Sequence, residues 1–281
     1  MLDTPTPHRD VSPSAHQRAR GRAEVRLKAG PAGAMPDRVM QEGSAKAILS
    51  GLGTDAPEVV FLNTAGGLTG GDRMALSLDL APGIRATATT QTAERAYASS
   101  GGSAQVGVTL RVGEGGWLDW LPQETILFDG ASLARAVSID LAPGAGCLFL
   151  ESVILGRHAM GETLRGLHFH DRREVLRAGR PVWTEPLALD TRTLARAGGP
   201  AILGGARAFA TIALVRPDAG DLLEPLRAVL DQPEVESGAS AMEGRLVLRL
   251  LAWDGLPLRR QILRALAVLR AGRPLPRVWQ S

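Results

Sequence analysis

The chain of 281 residues contains one cysteine, Cys147, one tyrosine and two lysines. A single cysteine excludes an intramolecular disulfide, and its place at the start of an apolar run predicts a buried thiol. No apolar stretch approaches the roughly eighteen residues of a membrane-spanning helix, and the N-terminus lacks the apolar core of a signal peptide. These absences lead us to expect a cytoplasmic protein that crosses no membrane.

Basic residues grouped with aromatic ones are also lacking. The 32 basic residues are nearly all arginines scattered along the chain, the net charge is only +3, and aromatic residues make up 4%. Nucleic-acid binding, which needs a concentrated basic surface, is therefore not expected. The chain also has no phosphate-binding lysine loop, no Gly-x-Ser-x-Gly elbow and no His-Glu-x-x-His motif, so we do not expect an enzyme.

What the chain does have is a series of short alternating segments separated by turns rich in glycine and proline. Their spacing of roughly 8 to 12 residues predicts a mainly β protein, in which short strands form a stack, a sandwich or a barrel. Leucines at helical spacing predict two helices in the C-terminal part, at 221–230 and 258–271. Residues 1–21, rich in proline, serine, arginine and histidine, predict a disordered arm before a single domain at 22–281.

The most distinctive segment, here called the glycine elbow, spans residues 62–73 and contains two Gly-Gly pairs. Because glycine costs backbone entropy and adds no packing, four glycines within six residues predict a tight turn between strands or a close approach by another surface. The residues that define the elbow as a candidate site are Asn63, Gly66, Gly67, Gly70, Gly71, Asp72 and Arg73.

The glycine elbow and five further blocks occur in an order that resembles the urease accessory protein UreD family, called UreH in some organisms. The further blocks are residues 89–93, 121–131, 151–157, 244–249 and 275–279. The resemblance covers about residues 22–279. It implies a β-rich fold of stacked short strands in a β-helix-like arrangement, with a small helical part, and this leaves a β-helix-like or sandwich arrangement as the expected fold. The chain departs from the family pattern at Glu94-Arg95, where the family usually has a Thr-Lys pair.

The resemblance implies a binding and scaffold protein that helps to install nickel in apo-urease. It implies a UreF-like partner, a UreG-type GTPase recruited through that partner, and apo-urease as the docking target. It implies no tightly bound cofactor, only Ni²⁺ in transit. The alternative is an enzyme whose glycine elbow binds an anionic ligand, with Asp72 or His158 as the acid or base.

Three acidic residues lie within or beside apolar segments: Asp72, Glu151 and Glu185. A charge in such a place must be paired or hydrated. One interpretation gives each an arginine partner, for example Arg73, Arg157 or Arg207. The other has the three carboxylates line an internal, water-filled passage, because oxygen ligands bind Ni²⁺ weakly enough to let it pass.

Two further sets of residues are candidates for binding. Tryptophan and arginine are enriched at protein interfaces, which makes a partner-binding role possible for Trp117, Trp120, Arg277 and Trp279, with core packing as the alternative. His168 and His170 fall on one face of an expected strand, where two imidazoles could contribute to a metal site. A half-exposed strand face is the simpler interpretation of this pair.

Overall fold

Short strands dominate the computed structural model, which describes residues 18–54, 57–157 and 160–280. Within these residues the strands are β1 (Arg20–Gly30), β2 (Gly33–Gly43), β3 (Ala45–Ser50), β4 (Glu58–Asn63), β5 (Arg73–Leu80), β6 (Arg85–Thr90), β7 (Glu94–Ala96), β8 (Ala104–Val112), β9 (Trp117–Trp120), β10 (Thr125–Leu127), β11 (Ala131–Leu141), β12 (Gly146–Leu155), β13 (Leu167–Arg177), β14 (Arg180–Asp190), β15 (Ala208–Val215), β16 (Val235–Met242) and β17 (Arg245–Ala252). The α-helices are α1 (Thr191–Ala195), α2 (Leu223–Arg227) and α3 (Gly255–Leu269).

The chain passes back and forth between two sheets. The front sheet has seven strands in the order β14-β13-β11-β8-β5-β1-β2, and the back sheet has the order β16-β17-β15-β12-β9-β6-β4-β3, with β10 and β7 attached beside β12. Strands β5, β8, β11 and β13 are parallel in the front sheet, as are β4, β6, β9 and β12 in the back sheet. This stacking confirms the predicted β-helix-like arrangement of strands.

The two sheets differ in burial because the central strands of the back sheet, unlike those of the front sheet, are covered on both faces. In the front sheet, β8 and β11 alternate between buried and exposed residues, as expected for one solvated face. In the back sheet, β15 is buried along its whole length. Its inward residues join the core between the sheets, and its outward residues pack against α3 through Leu258, Ile262 and Leu266.

The predicted C-terminal helices are both present. Helix α3 begins three residues earlier than predicted because Asp254 caps it by accepting a hydrogen bond from the Gly255 N–H. The predicted helix at 221–230 is a 3₁₀ turn, Ala219–Leu222, followed by α2. The five-residue α1 was not predicted, since it buries no residue and so lacks an apolar stripe.

The domain begins slightly earlier than the sequence suggests. Residues 1–17 of the predicted arm lie outside the described residues, whereas residues 20 and 21 already belong to β1. In the part of the chain that the structure describes, no helix is long and apolar enough to span a membrane.

The helix–sheet core gives a direct test of this packing. Leu266 of α3 is fully buried, whereas Leu256 of the same helix is 57% exposed. We expect Leu266→Ala to lower the free energy of unfolding by about 2–5 kcal/mol, because it leaves a cavity against the back sheet. Leu256→Ala, the matched control, should change it by less than about 0.5 kcal/mol. Urea unfolding measures both values, and equal losses would contradict this packing.

Candidate functional site

The glycine elbow joins β4 of the back sheet to β5 of the front sheet. Gly66, Gly67 and Gly71 have φ angles of 77°, 147° and 89°, which side chains rarely adopt. Gly70 is required for space instead, because an added Cβ would lie 1.9 Å from Ser99 Oγ. The sequence therefore predicted a tight turn correctly, and each glycine has a stated geometric reason.

The polar groups of the elbow are largely occupied by the chain itself. Asp72 is buried, and its two carboxylate oxygens accept hydrogen bonds from the N–H groups of Ala19 and Thr69, each at 2.8 Å. The N–H groups of Leu68 and Gly71 donate to backbone carbonyls elsewhere in the chain. Asp72 thus stabilises the loop, and Arg73, exposed at the start of β5, is not its partner.

A cavity of about 100 Å³ lies between the two sheets beside the glycine elbow. Asn63, Gly66 and Gly67 line it on the elbow side, together with Glu94. Asn63 Nδ2 donates to the Glu94 carboxylate at 3.2 Å. Burial raises the pKa of Glu94 above its ordinary value, despite this hydrogen bond. Arg135 and Glu151 line the same cavity and are much more deeply buried.

Glu151 lies on β12 and points between the sheets, where its exposure is 1%. Its two oxygens accept hydrogen bonds from Trp120 Nε1 at 3.0 Å and from the Arg135 guanidinium of the facing β11 at 2.5 Å. Arg135 also donates to the Thr125 hydroxyl at 3.0 Å. Burial raises the pKa of Glu151 against the opposing effect of Arg135. Glu151 is therefore a buried carboxylate held in place by Trp120 and Arg135, and Thr125 in turn helps to hold Arg135.

The ion pairs continue through the front sheet as a buried charge line. The Arg135 guanidinium donates hydrogen bonds to both carboxylate oxygens of Asp171, at 3.0 and 2.6 Å. Arg173 Nε donates to the same carboxylate at 2.7 Å. Burial alone would raise the pKa of Asp171, but the Arg135 and Arg173 guanidiniums lower it below its usual range. We use the name charge line for Glu151, Arg135, Asp171, Arg173 and Glu185.

Glu185 ends the charge line at a second, larger cavity. Its carboxylate accepts from Arg173 at 3.1 Å and from Arg249 of the back sheet at 2.7 Å. This second cavity, of about 530 Å³, is lined by Arg173, Glu185 and Arg249, together with Thr211. The charge line thus separates two cavities, with Glu94 and Glu151 on one side and Glu185 on the other.

The arginine partners suggested from the sequence are wrong. Arg157 binds Glu162, and Arg207 donates to the backbone carbonyls of Leu155 and Glu162. The actual partners, Arg135 and Arg173, were not singled out. The alternation of buried and exposed residues in β11 and β13 could have identified both arginines, because it places them on the inward faces of these strands.

The interface interpretation is wrong for the three tryptophans, because each is buried and bonded inside the chain. Trp117 Nε1 donates to buried Asp119 at 2.7 Å, and Trp120 Nε1 donates to Glu151. Trp279 Nε1 donates to the Leu121 carbonyl at 2.9 Å. Arg277 is exposed and keeps its place as a candidate partner contact.

The two histidines of β13 lie on its exposed face with their ring centroids 4.4 Å apart. Among the described residues, no group of three or more histidine, cysteine, aspartate or glutamate side chains could hold a metal ion. His158 lies outside the described residues. Cys147 is fully buried as predicted, and burial raises the pKa of its thiol.

Known proteins match this chain over almost its whole length. The family model described as UreD urease accessory protein matches residues 19–280. The chain belongs to the UreD family. Three curated relatives, each called urease accessory protein UreD, illustrate the similarity. The relative from Cereibacter sphaeroides (strain ATCC 17025 / ATH 2.4.3) is 60% identical over 98% of both chains. The relative from Paracoccus denitrificans is 58% identical over 96% of this chain and 95% of its own, and that from Rhizobium leguminosarum is 42% identical over 94% and 96%.

Membership of the UreD family confirms the resemblance seen in the ordered sequence blocks. It supports a role in urease maturation, and the word accessory implies a role other than catalysis. The matched region includes the glycine elbow, both cavities and the charge line, so the family's function has to be sought in these features or on the surface around them.

The charge line predicts a large stability cost when its central cation is removed. Arg135→Met leaves Glu151 and Asp171 buried without their shared partner, so we expect a loss of about 3–5 kcal/mol in the free energy of unfolding. The matched control is Arg249→Met, because the Arg249 side chain is 61% exposed and its pair with Glu185 should contribute less than about 1 kcal/mol. Urea unfolding measures the free energy of unfolding of both variants. Similar losses in the two variants would show that burial does not determine the contribution of these ion pairs.

Glu94 predicts a dependence of stability on pH. The pKa of Glu94 is raised in the folded state. Ionisation of Glu94 therefore lowers the stability of the fold as the pH rises from the ordinary pKa of 4.5 through the raised pKa of the folded state. We expect Glu94→Gln to have a melting temperature close to that of the unmodified protein at pH 4.5 and a higher one at pH 8. Glu236→Gln, which removes an exposed carboxylate of β16, should show no such trend. A constant difference between Glu94→Gln and the unmodified protein across this range would contradict the raised pKa.

Proposed function

We propose that this chain is the scaffold and nickel-passage subunit of the GTPase-dependent complex that inserts nickel into the active site of apo-urease. The observation that carries the proposal is the row of carboxylates between the sheets. Glu94 and Glu151 line the first cavity, Asp171 lies in the charge line, and Glu185 lines the second cavity. Carboxylates at these depths provide successive contacts for a divalent cation where the core would otherwise exclude it.

The chemistry of these groups suits transport better than storage. Each is an oxygen ligand, and Ni²⁺ is held more tightly by nitrogen and sulfur ligands than by carboxylates alone. An ion bound at Glu94 can therefore pass to Glu151 without falling into a deep energy minimum. The guanidiniums of Arg135 and Arg173 repel a cation, so the charge line in its present arrangement closes the route between the two cavities.

Opening the route requires Arg135 or Arg173 to leave its carboxylates. Breaking one side of a buried pair costs several kcal/mol, so this step needs energy from outside the chain. The sequence has no phosphate-binding loop of its own. We therefore propose that a UreG-type GTPase supplies the energy and that a UreF-like protein connects it to this chain. Apo-urease receives the ion, no cofactor stays tightly bound, and the complex works in the cytoplasm.

The enzyme alternative has less support. It assigns an anionic ligand to the glycine elbow and an acid or base role to Asp72. The N–H groups of Leu68, Thr69 and Gly71 already donate to acceptors in the chain, and both Asp72 oxygens accept backbone hydrogen bonds. These groups hold the loop in shape, which leaves few of them for a ligand. We place Asp72 in this structural role and leave it out of the proposed passage.

Nickel loading of urease in cells tests the passage. We expect Glu94→Gln and Glu151→Gln to cause a several-fold loss of urease-bound nickel, because each removes a negative charge from the first cavity. Glu94→Gln is the sharper variant, since it should also stabilise the fold, so a nickel defect cannot come from unfolding. Exposed Glu236→Gln is the control and should leave nickel loading unchanged.

The readouts are nickel per urease by elemental analysis and co-purification of the accessory proteins with urease. Full nickel loading with both variants would reject the passage. Loss of co-purification together with loss of nickel would mean that the carboxylates serve assembly, which would also reject it.

A further inference from the structure

A groove of about 870 Å³ crosses the outer face of the front sheet, on the side away from the two cavities. It is formed by two neighbouring rows of side chains that run across β1, β5, β8, β11, β13 and β14. The first row contains Arg20, Arg73, Gln105, Ala134, His170 and Ala188. The second row contains Arg22, Ala75, Gly107, Ala136, Arg172 and Pro186. The proposed nickel passage uses none of these side chains.

The floor of the groove is made of the smallest side chains in the sheet. Ala75, Gly107 and Ala136 are direct neighbours on β5, β8 and β11, and Ala134 lies beside them in the first row. Gly107 has no positive φ, and a Cβ added to it would meet nothing within 4 Å. Backbone geometry therefore does not require glycine here, and the position leaves open space above the sheet.

The walls of the groove are basic. Arg20, Arg22 and Arg73 stand on one side, and His170 and Arg172 stand on the other. Arg22 and Arg172 have carboxylate partners along their own strands, in Glu24 and Glu174. Arg20 and Arg73 are different. They are direct cross-strand neighbours, both are exposed, and neither has a carboxylate partner among the described residues.

Like charges directly opposite each other in a sheet are destabilising. The pair formed by Arg20 and Arg73 therefore gains free energy when a carboxylate is placed between the two guanidiniums. The one acidic side chain of the lining on this edge, Glu42, is the cross-strand neighbour of Arg22. The charge of the groove is thus complementary to an acidic ligand, and its alanine floor is complementary to apolar surface.

The width of the groove selects the shape of that ligand. The outer wall residues stand on β1 and β13, which are four strand spacings apart, or about 19 Å at about 4.8 Å per spacing, and Arg73 projects from β5 beside Arg20. The wall side chains occupy part of this width, and the remaining space fits one α-helix, which is about 10–12 Å across. A floor of alanine and glycine lets such a helix approach the sheet closely. An extended segment, by contrast, would leave one wall without a contact.

We propose that this groove binds an acidic amphipathic helix of a partner protein. The helix lays a face of small and apolar residues on Ala75, Gly107 and Ala136, and it directs a carboxylate to Arg20 and Arg73. This surface adds a docking site to the chain and does not depend on whether nickel passes between the sheets.

Peptide binding to the purified full chain tests the proposal. The probe is a fluorescein-labelled helical peptide of alanine, leucine and glutamate, roughly 16 residues long so that it is helical on its own. We expect saturable binding by fluorescence anisotropy. Gly107→Phe, which fills the floor, and Arg73→Glu, which reverses the unpaired charge, should each weaken binding about tenfold, equivalent to about 1.4 kcal/mol.

Arg111→Glu is the matched control for charge. Arg111 lies on β8 on the same outer face, outside the groove, and is paired with Asp79. The Arg111→Glu variant should bind the helical peptide with an affinity within about twofold of that of the unmodified chain. A second probe of the same composition with two central prolines, which cannot be helical, should bind much more weakly. Melting temperatures of Gly107→Phe and Arg73→Glu confirm that each variant is folded.

Four results would overturn the proposal. The first is the absence of binding by the helical probe. The second is an equal loss with Arg111→Glu, which would mean general attraction of charge. The third is equal binding of the proline probe, which would mean that no helix is recognised. The fourth is tighter binding of duplex DNA or of phosphatidylserine vesicles, with the same dependence on Gly107 and Arg73.

Discussion

The fork of Arg135 between Glu151 and Asp171 is the interaction on which the interior of this protein depends. Glu151 belongs to the back sheet, whereas Arg135 and Asp171 belong to neighbouring strands of the front sheet. The guanidinium therefore ties the two sheets together and also fixes the spacing of two parallel strands. A second tie runs from Glu185 of the front sheet to Arg249 of the back sheet. Apolar packing fills the space around these ties.

Stability alone is a poor reason for such an arrangement. Replacing a buried ion pair with well-packed apolar residues is often neutral or stabilising, because the desolvation of the charges offsets most of their attraction. The surrounding strands already provide an extensive apolar core. A line of five charged residues between two cavities is better explained by a need for charge inside the fold. The cation passage that we propose is a function of that kind.

The sequence allowed prediction of the local structure but not of the charge line. Alternation in residues 104–112 predicts a strand with one solvated face, and the leucines of 258–269 predict a helix, because these patterns reflect contacts made by near neighbours. Glu151 was recognised because its neighbours in the chain are apolar. Arg135 was not, because it is one of 32 basic residues and its partner, Asp171, lies 36 positions away. Trp117 and Trp120 were ambiguous for the same reason, since only the fold decides whether an indole faces a partner or the core.

The outer and inner faces of the front sheet are connected through two shared strands. Strand β11 carries Ala134 and Ala136 outward into the groove and Arg135 inward to Glu151, and β13 carries His170 and Arg172 outward and Asp171 inward. Because side chains alternate along a strand, the groove and the charge line differ by a single residue in each strand. A ligand in the groove that changes the twist of β11 or β13 must also move the Arg135–Asp171 fork. The geometry therefore provides a short mechanical connection from the proposed docking groove on the outside to the Arg135–Asp171 ion pair, where the proposed interior route is closed.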